Sequence, residues 1–350
     1  MKLQECFFPW AELNISYDKQ IRCCCYFKEI LAKWDYTKPL DFPAFWNGPA
    51  MQRIRSIVIS GKSAGNGCKG CIYVGYHQND VFSIIPSDLN AIQKENWEKM
   101  IVNHNKIVVD HVPVRYYFNF GLKCNLNCIM CSQADMRKAN SDYLPGERIF
   151  ELKEYLIPAN EFVIIGGEPF IIPGAVNFID SIIKDKDFEN TRLSIFTNGY
   201  FLDKFIDKLK NIKRVACAIS IDSIGETYEH IRRGSKWDII ERNIDMYREV
   251  MATTNPQWTL NIASLVMKSS LGVLDEMVEW CANRNIPVHL AALQSMSFTG
   301  NEDVFNNKSL LNEIPDWEQR MDRAIDILTK KGWVSGGAYP LEMFKQQLKG

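Results

Sequence analysis

Three thiols stand at positions 124, 128 and 131 in the run Cys124-Asn-Leu-Asn-Cys128-Ile-Met-Cys131. Thiolates are the ligands that iron–sulfur clusters take, and a loop of this length can wrap three corners of a cubic cluster. A closed cluster takes four cysteines. The loop offers no fourth cysteine or histidine, so a cluster held here keeps one iron open to another ligand. A structural zinc ion on the same loop would want four protein ligands. Other ligand-binding types follow at intervals: Gly166-Gly-Glu-Pro169, Thr197-Asn-Gly199, Ser220-Ile-Asp-Ser223 and Arg232-Arg-Gly234. Gly166 and Gly167 let a backbone approach a ligand closely. Glu168 supplies a carboxylate. Ser220 and Asp222 alternate along one segment and so point the same way. Cys217 lies in an apolar strand and reads as core, and Cys281, late in a helix, reads as partly buried and inert.

These residues need a frame that brings them to one place. From residue 114 the pattern alternates between strands and helices. Strands are expected over 115–120, 161–165, 192–196, 215–221, 258–265 and 286–293. Helices are expected over 146–156, 173–184, 201–209, 237–251 and 271–283. Strand, helix, strand at this spacing means βαβ units and a mostly parallel sheet. Six units fall short of the eight of a closed barrel, so the expected fold is α/β, a partial (β/α)6 TIM-like barrel. Ligands of such sheets bind at the carboxyl ends of the strands, and every motif above falls at one.

Residues 1–72 read as a small N-terminal cysteine-rich α+β domain. It has a hairpin over 13–17 and 21–27, a helix over 51–59 and a glycine-rich loop ending in Cys68-Lys-Gly-Cys71. Residues 73–113 read as a connector, with a helix over 88–102 capped by Ser87 or Asp88 and a short strand over 107–109. Residues 294–350 read as a C-terminal helical extension, with helices over 315–330 and 341–348.

The 350 residues carry 41 basic and 42 acidic side chains. Bulk charge therefore leaves no nucleic-acid footprint. No apolar run approaches a membrane span and no signal peptide is evident, so the expected compartment is cytoplasmic. Eleven cysteines there favour metal binding or catalysis over disulfides.

The triplet followed by Gly-Gly-Glu-Pro and six βα units resembles the radical S-adenosylmethionine (radical SAM) enzymes, over residues 114–293. The resemblance implies a 4Fe-4S cluster on Cys124, Cys128 and Cys131, whose open iron binds S-adenosylmethionine. It also implies an external one-electron reductant of flavodoxin or ferredoxin type, and reductive cleavage to a 5′-deoxyadenosyl radical that takes a substrate hydrogen. By the same resemblance Gly166, Gly167, Glu168, Ser220, Asp222 and Arg233 contact the ligand, with Arg232 the alternative to Arg233. Thr197 and Asn198 floor the pocket. Met130 stands where the family usually places an aromatic facing the adenine.

The N-terminal segment resembles the SPASM and shorter twitch domains, through Cys6-Phe-Phe-Pro-Trp10, the cysteine run 23–25, Phe45-Trp-Asn-Gly48 and Cys68-x-x-Cys71. In the family these elements usually follow the barrel. The resemblance implies an auxiliary 4Fe-4S cluster on Cys6, Cys24, Cys68 and Cys71, with Cys23 and Cys25 as alternatives to Cys24. A zinc-ribbon binding module is the competing reading. The expected substrate is a ribosomal peptide or protein, or a small sugar-like metabolite.

Overall fold

The structure is a computed structural model, described here over residues 6–24, 27–61, 85–293 and 301–350. Cys25, Cys68 and Cys71 lie outside the described residues, as does much of the glycine-rich loop. The chain divides into two compact units. The first comprises residues 1–123, 141–195 and 211–215, and the second residues 124–140, 196–210 and 216–350. No helix among the described residues is long and apolar enough to cross a membrane.

In the first unit β1 (Glu12–Ser16), β2 (Gln20–Arg22) and β3 (Ala32–Lys33) form an antiparallel run. The other edge of β1 pairs in parallel with β4 (Arg115–Asn119). The sheet continues in parallel through β5 (Glu161–Ile165) to β6 (Arg192–Thr197). The N-terminal hairpin thus forms, but it extends the same sheet as β4. β2 is shorter than expected and ends at Arg22, so Cys23 and Cys24 follow it in a bend. Strand alternation therefore does not set their directions, and both are buried.

The first residues of four of these strands are paired across the sheet in the order Glu12, Arg115, Glu161, Arg192. Opposite charges directly across neighbouring strands stabilise a register, and a slip of one residue would break each pair. The Arg115 and Glu12 side chains lie 2.6 Å apart, and the Glu12 side chain is fully buried. Above this charged row the core is aromatic. Phe118, Phe120 and Phe162 pack against Phe178 with ring centroids 5.2–5.6 Å apart. Phe178 comes from the helix Pro173–Lys184, which starts on proline and buries Ala175, Phe178, Ile179 and Ile182 as one face. Each such ring contributes about 1.5–3 kcal/mol by leaving water.

Two expectations for residues 85–113 change. The helix starts later, at Ala91–Asn103, because Asn90 and Gln93 close a reciprocal cap on its first turn. Asp88 instead pairs with Arg214 at 2.9 Å. The strand over 107–109 does not form. The Asn47 side chain accepts from Val109 N at 3.0 Å and donates to Val109 O at 2.8 Å, taking both backbone groups a strand partner would use.

In the second unit β7 (Val215–Ser220), β8 (Thr259–Val266) and β9 (Val288–Ala292) are parallel neighbours. The helices Trp237–Thr253 and Leu274–Asn283 bury apolar faces built on Ile240, Ile244 and Tyr247 and on Met277, Val278 and Cys281. Tyr247 stacks on Trp258 with ring centroids 5.0 Å apart. The C-terminal residues form the helices Trp317–Lys330 and Tyr339–Lys349. The fold is α/β with a mostly parallel sheet and no closed barrel.

Candidate active site

The Gly-Gly-Glu-Pro turn follows β5. Gly166 has φ 152°, where a side chain is strained, and a Cβ there would stand 2.7 Å from Gly121 O and Ile172 Cδ1. A Cβ on Gly167 would meet Leu122 O and Lys123 O at 2.3 Å. The two glycines let this turn lie against the backbone that follows β4. Gly167 N donates to Gly121 O and Glu168 N donates to Lys123 O, each at 2.8 Å. Lys123 immediately precedes Cys124 in the chain. The sequence requirement for glycine thus comes from a backbone-to-backbone approach, not only from a ligand. Glu168 is fully buried and its Oε1 accepts from Phe170 N at 3.3 Å, capping the short 3-10 turn Pro169–Ile171.

The cysteine loop belongs to the second unit. Its middle, on either side of Cys128, is tied down by backbone bonds, Asn127 N to Arg233 O at 2.8 Å and Ile129 N to Ile231 O at 2.9 Å. All three thiols are half-buried and none is in a disulfide. Donors face two of the sulfurs. Leu126 N donates to Cys124 Sγ at 3.4 Å, and Asn198 Nδ2 lies 3.8 Å from the same sulfur. Arg232 Nη1 lies 4.0 Å from Cys128 Sγ. Burial pushes the Cys128 thiol up to about 11; Arg232 opposes this, and Cys124, Asp222 and Cys131 add to it. Among the described residues no three ligating side chains converge on a point that would hold one metal ion. A cubic cluster asks for something else, since each thiolate takes its own iron. Three thiols in one loop, none in a disulfide and with donors placed to bond thiolates, fit such a cluster.

The structure brings Arg232 to this loop and not Arg233. Arg232 is buried at the end of the helix Gly225–Ile231, and its Nη2 lies 2.8 Å from Asp222 Oδ2. Arg233 is exposed and contributes its carbonyl. Asp222 sits two residues past the end of β7 and is almost fully buried. Its Oδ1 accepts from Leu265 N at 2.8 Å, so both carboxylate oxygens are engaged within the unit. Ser220, the last residue of β7, is half-buried.

Thr197 and Asn198 hold a turn. Thr197 Oγ1 accepts from Gly199 N at 3.0 Å and Asn198 Oδ1 accepts from Tyr200 N at 2.9 Å. Asn198 Nδ2 also donates to Asn125 Oδ1 at 2.9 Å. Asn125 lies inside the cysteine loop and was not singled out from the sequence. The signal available was a side-chain amide between two cysteines of the loop. Met130 is buried with Ile231, Met267 and Leu293, and Cys128, Ile129 and Leu265 pack against that cluster. Cys217 and Cys281 are fully buried.

Residues 118–261 match the family model described as the Radical SAM superfamily. A "Probable GTP 3',8-cyclase" of Methanococcus aeolicus is 27% identical over 167 residues, 47% of this chain and 54% of the relative. A "GTP 3',8-cyclase" of Petrotoga mobilis is 31% identical over 169 residues, 47% of this chain and 49% of the relative. The chain spans about half the length of these curated relatives. Among solved structures, Streptococcus suis SuiB bound to S-adenosylmethionine overlaps 65% of this chain and 52% of its own, at 15% identity and TM-score 0.46. The anSMEcpe protein with bound AdoMet overlaps 63% and 59%, at 15% identity and TM-score 0.48. Residues 118–261, which hold the cysteine loop and the glycine turn, are thus similar to the Radical SAM superfamily.

Proposed function

We propose that this chain is a radical SAM enzyme that reductively cleaves S-adenosylmethionine and abstracts a hydrogen atom from a substrate. The observation that carries the reading is the cysteine loop, with three half-buried thiols outside any disulfide and hydrogen-bond donors facing two of them. Cys124, Cys128 and Cys131 hold a 4Fe-4S cluster. When bound, the cluster and S-adenosylmethionine supply a 5′-deoxyadenosyl radical, given one electron from an external flavodoxin- or ferredoxin-like donor.

The chain's own residues do the rest. Gly166 and Gly167 keep the turn free of Cβ atoms. Glu168 binds the ammonium of S-adenosylmethionine, and Ser220 its ribose. Arg232 places positive charge beside Cys128, where thiolate charge must be balanced, and Asp222 holds Arg232 there. Arg233 is left to the methionine carboxylate from the solvent side, and Thr197 and Asn198 fix the pocket floor. Met130 packs beside Cys128, a soft thioether against the adenine.

For the substrate, the relatives' printed names support GTP as the first compound to test. An auxiliary 4Fe-4S cluster on Cys6, Cys24, Cys68 and Cys71 remains our reading of the N-terminal cysteines, against a zinc ribbon.

The test is anaerobic. Reconstituted, reduced protein is mixed with S-adenosylmethionine, and 5′-deoxyadenosine is quantified with and without GTP. Absence of 5′-deoxyadenosine in every condition overturns the enzyme reading. Formation of 5′-deoxyadenosine with no conversion of GTP returns the substrate to a ribosomal peptide or a sugar-like metabolite.

A further inference from the structure

The sheet register of the second unit places a histidine on the face that carries the cysteine loop. Leu265 packs against the Met130 cluster, which Cys128 also touches. Side chains two apart on a strand share a face, so Ala263 and Asn261 of β8 lie on Leu265's side. Ala263 is directly opposite Ser220 on β7 and His289 on β9. Ser220, Ala263 and His289 therefore form one row across three strands. Ser220 and His289 stand about 10 Å apart, two strand spacings, with only a methyl group between them.

His289 is open on one side and packed on the other. By surface area it is exposed, as is Ala291 on the same face of β9, while Val288 and Leu290 are buried. Yet burial among protein atoms lowers its pKa. Its other side is fixed, because a Cβ on Gly336 would come within 2.6 Å of its Nδ1. Among the described residues no group hydrogen-bonds its imidazole. A neutral imidazole offers one donor and one acceptor; Nδ1 lies on the side packed by Gly336, which leaves Nε2 for a ligand.

We propose that His289 is a substrate-contacting residue that hydrogen-bonds a polar group of the substrate across the Ser220–Ala263–His289 row. The inference rests on the radical SAM reading above. It adds that the substrate lies over β7–β9 and carries a hydrogen-bonding group about two strand spacings from Ser220. Gly336, seated on the imidazole, keeps the ring from turning away.

The test uses the reconstituted full chain with S-adenosylmethionine, and GTP as the probe. GTP affinity is measured by anaerobic equilibrium dialysis for the wild type, His289→Ala, His289→Gln and Ala263→Val. His230→Gln, at an exposed position on the helix Gly225–Ile231, is the control. Loss of one hydrogen bond in a closed site weakens binding about tenfold, so His289→Ala is expected to bind GTP about tenfold more weakly. His289→Gln, which keeps a donor and an acceptor, recovers most of that loss. Ala263→Val narrows the row and weakens binding as well, and His230→Gln leaves it unchanged. Equal affinity in the wild type and His289→Ala overturns the proposal. So does His289→Gln losing as much as His289→Ala, which would make the role one of packing. A wild type that forms 5′-deoxyadenosine but does not bind GTP overturns the contact and leaves the cleavage reading standing. A wild type that forms none fails the cleavage reading itself.

Discussion

The Asp222–Arg232 pair gives the sharpest test of how the cysteine loop is supported. Both side chains are almost fully buried, and the charged atoms are 2.8 Å apart. At an effective dielectric constant of about 20 the gross attraction is about 6 kcal/mol, most of it offset by the desolvation of two ions. The net pair is therefore worth little, but breaking it is costly. Asp222→Asn keeps an oxygen for Leu265 N and removes the charge, leaving a buried guanidinium without its carboxylate. The expected cost is about 3–5 kcal/mol. Arg232→Met leaves a buried carboxylate, with a similar cost. The double variant removes both charges and should cost less than the sum by about 2–4 kcal/mol. Hydrogen exchange of β8 amides, Leu265 N included, reports the local stability without assuming one global transition. Loading the cluster should reduce the cost of Asp222→Asn, because Cys128 Sγ lies 4.0 Å from Arg232 Nη1 and its thiolate would supply negative charge. Additivity of the two single variants within about 0.5 kcal/mol would show that the pair is not coupled, and the reasoning would fail.

Gly167→Ala places a Cβ 2.3 Å from two carbonyl oxygens, so the backbone beside Cys124 must move. We expect a loss of about 1–3 kcal/mol in stability and weaker S-adenosylmethionine binding at unchanged iron content, measured by thermal unfolding and equilibrium dialysis. Cys128→Ala should remove about four irons per chain and abolish 5′-deoxyadenosine. Cys71→Ala should remove about four different irons and spare the cleavage; zinc in place of those irons, seen by elemental analysis, would move the N-terminal segment to a ribbon. His111 is buried, with Nε2–H donating to Trp10 O at 2.9 Å and Nδ1 facing Asn103 Nδ2 at 3.2 Å. Burial lowers its pKa from 6.5 to about 4. The unfolded chain therefore binds the extra proton first, and stability should fall as pH drops from about 6.5 towards 4, by about 1.4 kcal/mol per pH unit. Urea titrations at several pH values check this, and His111→Gln should flatten that part of the slope.

The local chemistry was legible without a fold. Strand and helix positions from 114 to 293 follow from apolar periodicity, because side chains repeat every two residues in strands and every three to four in helices. The helix Pro173–Lys184 and the strand Glu161–Ile165 form over the residues that this periodicity indicated. The cysteine spacing limits the metal chemistry because three thiols in eight residues are brought together by the chain itself. Which arginine joins them was not legible. Arg232 and Arg233 are chemically identical neighbours, and only the way the helix Gly225–Ile231 ends turns one inward and the other to solvent. The engagement of Asp222 depends on Leu265, 43 residues away. The absence of a strand at 107–109 depends on Asn47, and the short β2 leaves Cys23 and Cys24 in a bend. His289 acquires a neighbourhood only when β9 pairs with β8. Short-range spacing determined which elements form and which groups can ligate. Long-range pairing, which no local pattern encodes, decided which side chains share a face.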